Sequence, residues 1–317
     1  MVQQRQEAKP TITVVSLFSG CGGMDLGFLG GFEFLGERYD RTAFDIIWAN
    51  EINPAACKTY KANLGQHIIE GDIKDVIDSL PEYADVVIGG FPCQDISVNG
   101  KMLGIDGARS SLYTAIVETV RRVKPKVFVA ENVGGLLLKK NESSFKKIMD
   151  DFSELDYNVH HSLYRASEYG VPQTRERVFI VGTRKDIPAY TPPNPVKDEP
   201  ITAKEAIGDL EQVNEDKEFS HVWSLAGISG EQGNRCLLAD RPGYTIRAEC
   251  HGNIQFHYSL PRRISMREAA RIQSFPDSFR FLSGLRETER QIGNAVPPVL
   301  AWHVAKSVEA LLQESKA

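Results

Sequence analysis

Short apolar runs rich in β-branched residues recur along the first half of the chain, and helix-patterned segments separate them. Residues 11–17, 44–49, 67–73, 85–88 and 126–130 each read as a strand that closes on glycine, asparagine or an acid. Residues 73–80, 109–122 and 143–155 read as helices, and 157–164 and 177–182 as two further strands. Strands alternating with helices predict an α/β, Rossmann-like, doubly wound and mostly parallel sheet. A proline-rich stretch at 187–200 (Pro188, Pro192, Pro193, Pro195, Pro200) marks a boundary. Residues 201–260 lack strong periodicity beyond one strand-like piece at 244–248, which predicts a small irregular second domain. A helix at 264–274 stopped by Phe275-Pro276-Asp277, a turn at 291–298 and an amphipathic helix at 299–312 follow.

Composition narrows the class. A chain of 317 residues that is 42% hydrophobic and 25% charged has the make-up of a soluble globular protein of one large domain or two. No apolar run approaches the roughly 18 residues that a membrane helix needs. The polar first ten residues lack an apolar export core. Five scattered cysteines without a CxxC pair predict free thiols in a reducing cytoplasm. His221, His251 and His257 match no zinc spacing, so no metal is assigned. A net charge of −5 argues mildly against a nucleic-acid partner, although the distribution of charge counts for more than its sum.

Candidate chemistry collects at the ends of the predicted strands. The first runs into Phe18-Ser19-Gly20-Cys21-Gly22-Gly23. A strand that breaks into a glycine-rich turn before a helix is a cofactor-cradle arrangement, with a mere tight turn as the alternative. The second ends in Glu51, where an acid binds ribose hydroxyls about 20 residues after the glycines. Glu51 comes later than that, which the polar insertion at 37–41 explains; otherwise it is a helix N-terminal acid. Asp72 ends the third, as an acceptor for an adenine amine or as a helix cap. The fourth leads to Gly89-Gly90-Phe91-Pro92-Cys93-Gln94. Pro92 fixes its own φ and biases Phe91 towards an extended shape, which aims the Cys93 thiol; a small buried cysteine is the plain alternative. Residues 95–108 carry no clean period and read as a lid loop. Glu131 ends the fifth strand. Arg175 and Arg177 share one side of an extended segment, suited to a phosphate or a carbonyl edge, or simply solvated. Arg263, Arg267 and Arg271 recur every four residues, either as a basic phosphate-binding stripe or as a solvated face.

Taken in order, these segments resemble the motifs of the DNA (cytosine-5) methyltransferase family over nearly the whole chain. The glycine turn resembles the cofactor motif, Pro92-Cys93 the nucleophile motif, and Glu131-Asn132-Val133 the Glu-Asn-Val motif. Gln173-Thr174-Arg175-Glu176-Arg177 is similar to the Gln-x-Arg-x-Arg motif. The segments 267–277 and 291–297 are similar to the last two. The resemblance implies a class I methyltransferase fold and S-adenosylmethionine as cofactor, with S-adenosylhomocysteine as product. It implies a catalytic, cofactor-binding domain of residues 1–186 and 286–317, and a target-recognition domain of 187–285. Cofactor contacts are then expected from Phe18, Gly20, Cys21, Gly22, Gly23, Glu51, Ile52, Asp72, Ile73, Pro92, Asn294 and Ala295. DNA contacts are expected from Gln94, Ser97, Arg109, Thr245, Arg263, Arg267 and Arg271.

The implied chemistry is addition of the Cys93 thiolate to C6 of a flipped cytosine, which makes C5 nucleophilic. Glu131 is expected at N3, Arg177 at the O2 edge, and Arg175 as a support for the site. Duplex DNA is the expected partner, with a restriction endonuclease as a possible functional companion, and a cytoplasmic monomer of bacterial style is expected. An RNA cytosine-5 methyltransferase, a catalytically silent nucleic-acid binder and a small-molecule methyltransferase remain as alternatives. Neither the recognition sequence nor the base that removes the C5 proton is legible.

Overall fold

The computed structural model describes residues 11–91, 112–196, 198–225, 235–248 and 255–315. Strand β1 (Ile12–Leu17) leads through the glycine turn to α1 (Gly23–Leu29). A short hairpin, β2 (Phe32–Phe34) and β3 (Glu37–Tyr39), occupies the stretch read as a polar insertion. Then come β4 (Phe44–Glu51), α2 (Pro54–Asn63), β5 (Ile68–Glu70) and α3 (Ile73–Val76). They are followed by β6 (Val86–Gly90), α4 (Leu112–Val123), β7 (Val127–Val133) and α5 (Glu142–Ser153). Two strands, β8 (Tyr157–Arg165) and β9 (Glu176–Arg184), complete the sheet. Helices α6 (Ala203–Ile207), α7 (Met266–Ile272), α8 (Leu285–Asn294) and α9 (Pro298–Glu314) end the chain.

The seven-stranded sheet has the order β5-β4-β1-β6-β7-β9-β8. It is parallel except for β9, which runs antiparallel to both β7 and β8. Strand order reverses at β1, with β4 on one side and β6 on the other. In an open α/β sheet the crevice beyond the carboxyl ends of such a pair is the place for a ligand.

Side-chain alternation explains why the strand sequences are apolar throughout. Ile12 and Val14 of β1, Val127 and Val129 of β7, and Phe179 and Val181 of β9 enter one core. Val15 and Leu17, Phe128 and Ala130, and Val178 and Ile180 enter the other. Both faces are covered, so neither set tolerates polar residues. Helices α4 and α5 lie over the second face. Helices α1 and α9 cover the first, together with Ile207, Leu237, Ile246, Ile264, Met266 and Phe275 from the segment beyond the prolines. The rim at residues 91, 133 and 174–177 is thereby joined to residues 245–248 and 293–296, and all of these line one cavity.

Four details depart from the sequence reading. Strand β5 stops at Glu70, and Asp72 belongs to the next element as the cap of α3. Residues 244–248 form no strand; only Gly243 bridges to Gln173. The expected turn at 291–298 is helical as far as Asn294. The helix expected from 109 is described from Leu112.

Candidate active site

The cavity beyond the strand ends has a volume of about 1320 Å³ and is lined by residues from the ends of β1, β4, β6 and β7 and by the 293–296 turn. A single small-molecule site occupies roughly 300–1,000 Å³, so this space is sized for more than one ligand.

One wall is the turn after β1. Phe18 has a φ of 55°, and Gly22, with a φ of 94°, sits in the left-handed region that glycine adopts without strain. A Cβ at Gly22 would meet Leu64 Cδ1 at 2.3 Å, whereas one at Gly20 would meet nothing within 4 Å. The turn is thus closed towards the core at Gly22 and open towards the cavity at Gly20. Ser19 N donates to Asn50 O at 2.9 Å, and Gly20 N donates to Glu51 Oε2 at 2.9 Å, which ties the turn to the end of β4. Gly23 lies against the Val296 carbonyl, and Cys21 is buried with its Sγ 3.7 Å from Gln291 O. Burial pushes the Cys21 thiol up to about 12, and the residue lines the cavity.

Glu51 also accepts from Asn53 N at 2.8 Å. Burial raises its carboxyl, while these backbone donors and Arg290 pull it back. Asn53 caps α2 and donates through Nδ2 to Glu287 at 2.9 Å, anchoring α8 beside the acid. Ile52 is exposed at the rim, and Ile73 is buried behind Asp72. Asp72 accepts from Lys74 N at 3.0 Å. It is therefore both the helix cap that the sequence allowed and a wall of the cavity.

The opposite wall is built on β7 and β9. Glu131 is 8% exposed, and its Oε1 meets Arg177 Nε at 2.7 Å. Burial raises the Glu131 carboxyl, opposed by Arg177 and then Arg175. Gly90 is beside it: a Cβ there would fall 2.9 Å from Glu131 Oε2. Asn132 Nδ2 donates to Phe91 O at 2.9 Å, and Phe91 N to Glu131 O at 3.3 Å. These two bonds fix the chain at residue 91 against β7. Pro92, Cys93, Gln94, Ser97 and Arg109, with the 95–108 lid expectation, lie outside the described residues.

Arg175 and Arg177 do not converge on one spot. Arg175 is fully buried and donates to Ile246 O (2.8 Å), Gly293 O (2.8 Å) and Ala295 O (3.1 Å). It straps the 243–248 loop and the end of α8 to the start of β9. Gln173 extends the strap, accepting from Ile246 N at 3.1 Å and donating to Ile272 O at 3.1 Å. Asn294 and Ala295 line the cavity at the end of this framework, as does Thr245, whose hydroxyl donates to Thr174 O at 2.9 Å.

Two of the three arginines of the expected basic stripe are turned inward. Arg267 is 1% exposed and spends its guanidinium on Phe219 O, Pro276 O and Phe279 O. Arg271 pairs with Asp209 and Asp277 at 2.6 Å each. Arg263 lies over the Phe256 ring at 4.6 Å. Arg267 and Arg271 are internal ties of α7, not a phosphate-binding face.

One buried group escaped the sequence reading altogether. Asp25, at the start of α1, is bonded by Tyr60 and Ser16 and lines the cavity. Its only sequence signal was an acid in the first turn of the helix after the glycines.

Comparison with known proteins places these features together. The family model for C-5 cytosine-specific DNA methylases matches residues 12–229 and 231–310. The Type II methyltransferase M.NgoFVII of Neisseria gonorrhoeae is 35% identical over 95% of this chain and 87% of its own length. M.NgoPII of the same organism, also a Type II methyltransferase, is 33% identical over 97% of this chain and 99% of its own. A prophage-encoded E. coli protein of known crystal structure superposes with a TM-score of 0.75 at 25% identity, over 96% of this chain and 100% of that one.

Proposed function

The chain belongs to the C-5 cytosine-specific DNA methylase family, and from that premise we propose that it methylates C5 of cytosine within a specific duplex sequence, through base flipping and a covalent Cys93–C6 intermediate. The observation that carries the reading is the buried Glu131–Arg177 pair, 2.7 Å apart, at the side of a cavity large enough for a cofactor and an extruded base. A stacked cytosine is out of reach of any such pocket until it is flipped, at a cost of roughly a few kcal/mol.

The residues present fit S-adenosylmethionine. Gly20 leaves the turn open, Glu51 ends β4, Asp72 caps α3, and Asn294 and Ala295 close the far side. This cofactor supplies an electrophilic methyl group. Glu131 holds a proton or a hydrogen bond at N3 as charge enters the ring, which its burial favours. Arg177 orients Glu131 and faces the O2 edge, and Arg175 acts through the framework rather than on the base. Cys93 attacks C6 as thiolate.

Residues 187–285 carry target recognition on this reading, with Thr245 and Arg263, and Gln94, Ser97 and Arg109, as DNA contacts. The Type II names of the relatives favour pairing with a restriction endonuclease. We infer a cytoplasmic monomer; no helix among the described residues is long and apolar enough to cross a membrane. Incubation with methyl-labelled S-adenosylmethionine and either duplex DNA or tRNA tests the proposal. Label is expected in DNA, at C5 of cytosine in one sequence context; label in tRNA alone would overturn it.

A further inference from the structure

Five arginines line the cavity: Arg165, Arg175, Arg177, Arg247 and Arg290. Four of them are committed inside the protein. Arg165 meets Glu176 at 3.2 Å and Glu168 at 3.5 Å. Arg177 meets Glu131 at 2.7 Å, Arg290 pairs with Glu287, and Arg175 is spent on three carbonyls. Arg247 differs. It is exposed, and among the described residues no hydrogen bond or ion pair engages its guanidinium.

Its backbone, in contrast, is held on several sides. Ile246 is 0% exposed; its N–H donates to Gln173 Oε1 at 3.1 Å, and its carbonyl accepts from Arg175 at 2.8 Å. Thr245 donates through its hydroxyl to Thr174 O at 2.9 Å. The Arg247 carbonyl lies against α8, where a Cβ on Gly293 would fall 2.5 Å from its oxygen. Ile246 enters the core, while Thr245 and Arg247 on either side of it both line the cavity. An exposed, uncommitted cation on a pinned stretch of chain leaves only its own side-chain freedom to be lost when an anion binds.

We propose that Arg247 binds a DNA phosphate next to the flipped nucleotide. The inference rests on the base-flipping reading given above. A base that turns out of the stack stays joined through its sugar to a phosphate on each side, so a base inside the cavity brings those anions to its rim. A guanidinium suits a phosphate because it can offer two parallel N–H donors to two oxygens. Such contacts fix the register and orientation of the strand and carry no sequence information. Arg247 thus seats the strand and takes no part in choosing the target sequence or in methyl transfer.

The test pairs Arg247→Gln with duplexes in which one phosphate beside the mapped target cytosine is replaced by an uncharged methylphosphonate. Binding is measured by fluorescence anisotropy between about 50 and 200 mM salt, with S-adenosylhomocysteine present. R247Q is expected to weaken binding of the unmodified duplex about tenfold and to reduce the salt slope by about 0.9. One of the two methylphosphonate duplexes should show the same loss with the wild-type chain and no further loss with R247Q. Losses that simply add at both positions would overturn the proposal, as would unchanged binding by R247Q. Weaker binding of S-adenosylhomocysteine by R247Q without DNA would also overturn it, by assigning the guanidinium to the carboxylate of that nucleoside. Should R247Q fail to fold, the wild-type chain with the two modified duplexes decides: about tenfold weaker binding of one is expected, and full affinity for both overturns the proposal. A wild-type chain that binds no duplex would instead overturn the DNA reading, and this inference with it.

Discussion

Replacing Glu131 with glutamine keeps the side-chain shape but removes the charge that faces Arg177 at 2.7 Å. Both side chains are only 10% exposed, so water replaces little of the lost interaction. Arg175 and Arg177 repel one another, and Glu131 offsets that repulsion. Breaking a buried pair by removing one partner costs about 3–5 kcal/mol. Relief of the desolvation of Glu131 returns part of this, so a net loss of about 3 kcal/mol is expected for E131Q. Arg177→Met should cost a similar amount, because it leaves the carboxylate buried without its partner. The double variant E131Q/R177M should cost clearly less than the sum of the two, with a coupling of about 1–3 kcal/mol. Urea unfolding of the four proteins measures this, through midpoints at constant slope. Methyl transfer to DNA, measured in parallel, should fall at least about a hundredfold in every variant, including the stability-rescued double. Additive stability losses would refute the ion-pair reasoning. Near-normal activity in the double variant would refute the catalytic role given to Glu131.

Asp25 gives a pH test. Burial raises its carboxyl from 3.8 to about 6, with Tyr60 and Ser16 pulling it back. The native chain then binds that proton more tightly than the unfolded chain, so this group lowers stability as pH rises from about 4 to about 6. Asp25→Asn should accordingly be more stable than wild type by about 3 kcal/mol at pH 8, the difference vanishing below about pH 3.5; a destabilised variant at pH 8 would contradict it. Arg175→Lys cannot span Ile246 O, Gly293 O and Ala295 O from one nitrogen. It should cost about 2–4 kcal/mol of stability in thermal unfolding and weaken cofactor binding through the displaced 293–295 turn. Among the described cysteines, Cys21 and Cys57, whose thiols burial pushes up to about 12, should resist alkylation in the folded protein while exposed Cys236 reacts, as mass mapping would reveal.

The sheet was legible because its strands are apolar on both faces, which leaves continuous runs such as 126–130 in the sequence. The acids and the glycine turn were legible for a related reason: chemistry sits where those runs stop. Helix α8 was not, because it buries Thr288, Glu289 and Gln291 as well as Ile292, and apolar spacing does not register polar groups satisfied inside. The hairpin β2–β3 is too short to show a period. The arginines of α7 had the spacing of a surface stripe, but their partners Phe219, Asp209 and Phe279 are distant in sequence or on another element. Periodicity along one helix cannot reveal which side a neighbour will cover. Arg175 was read as a companion of Arg177 on one face of a strand; the carbonyls that claim it come from 246, 293 and 295, far along the chain.

The central claim is that Cys93 adds to C6 of a flipped cytosine held against Glu131. It is tested most directly with duplex DNA carrying 5-fluorocytosine at a mapped target site, incubated with S-adenosylmethionine and run on a denaturing gel. A protein–DNA adduct that survives denaturation is predicted for the wild-type chain, because no C5 proton can leave, and none for Cys93→Ser. Absence of an adduct at a verified target, or an adduct that persists in Cys93→Ser, would contradict the account.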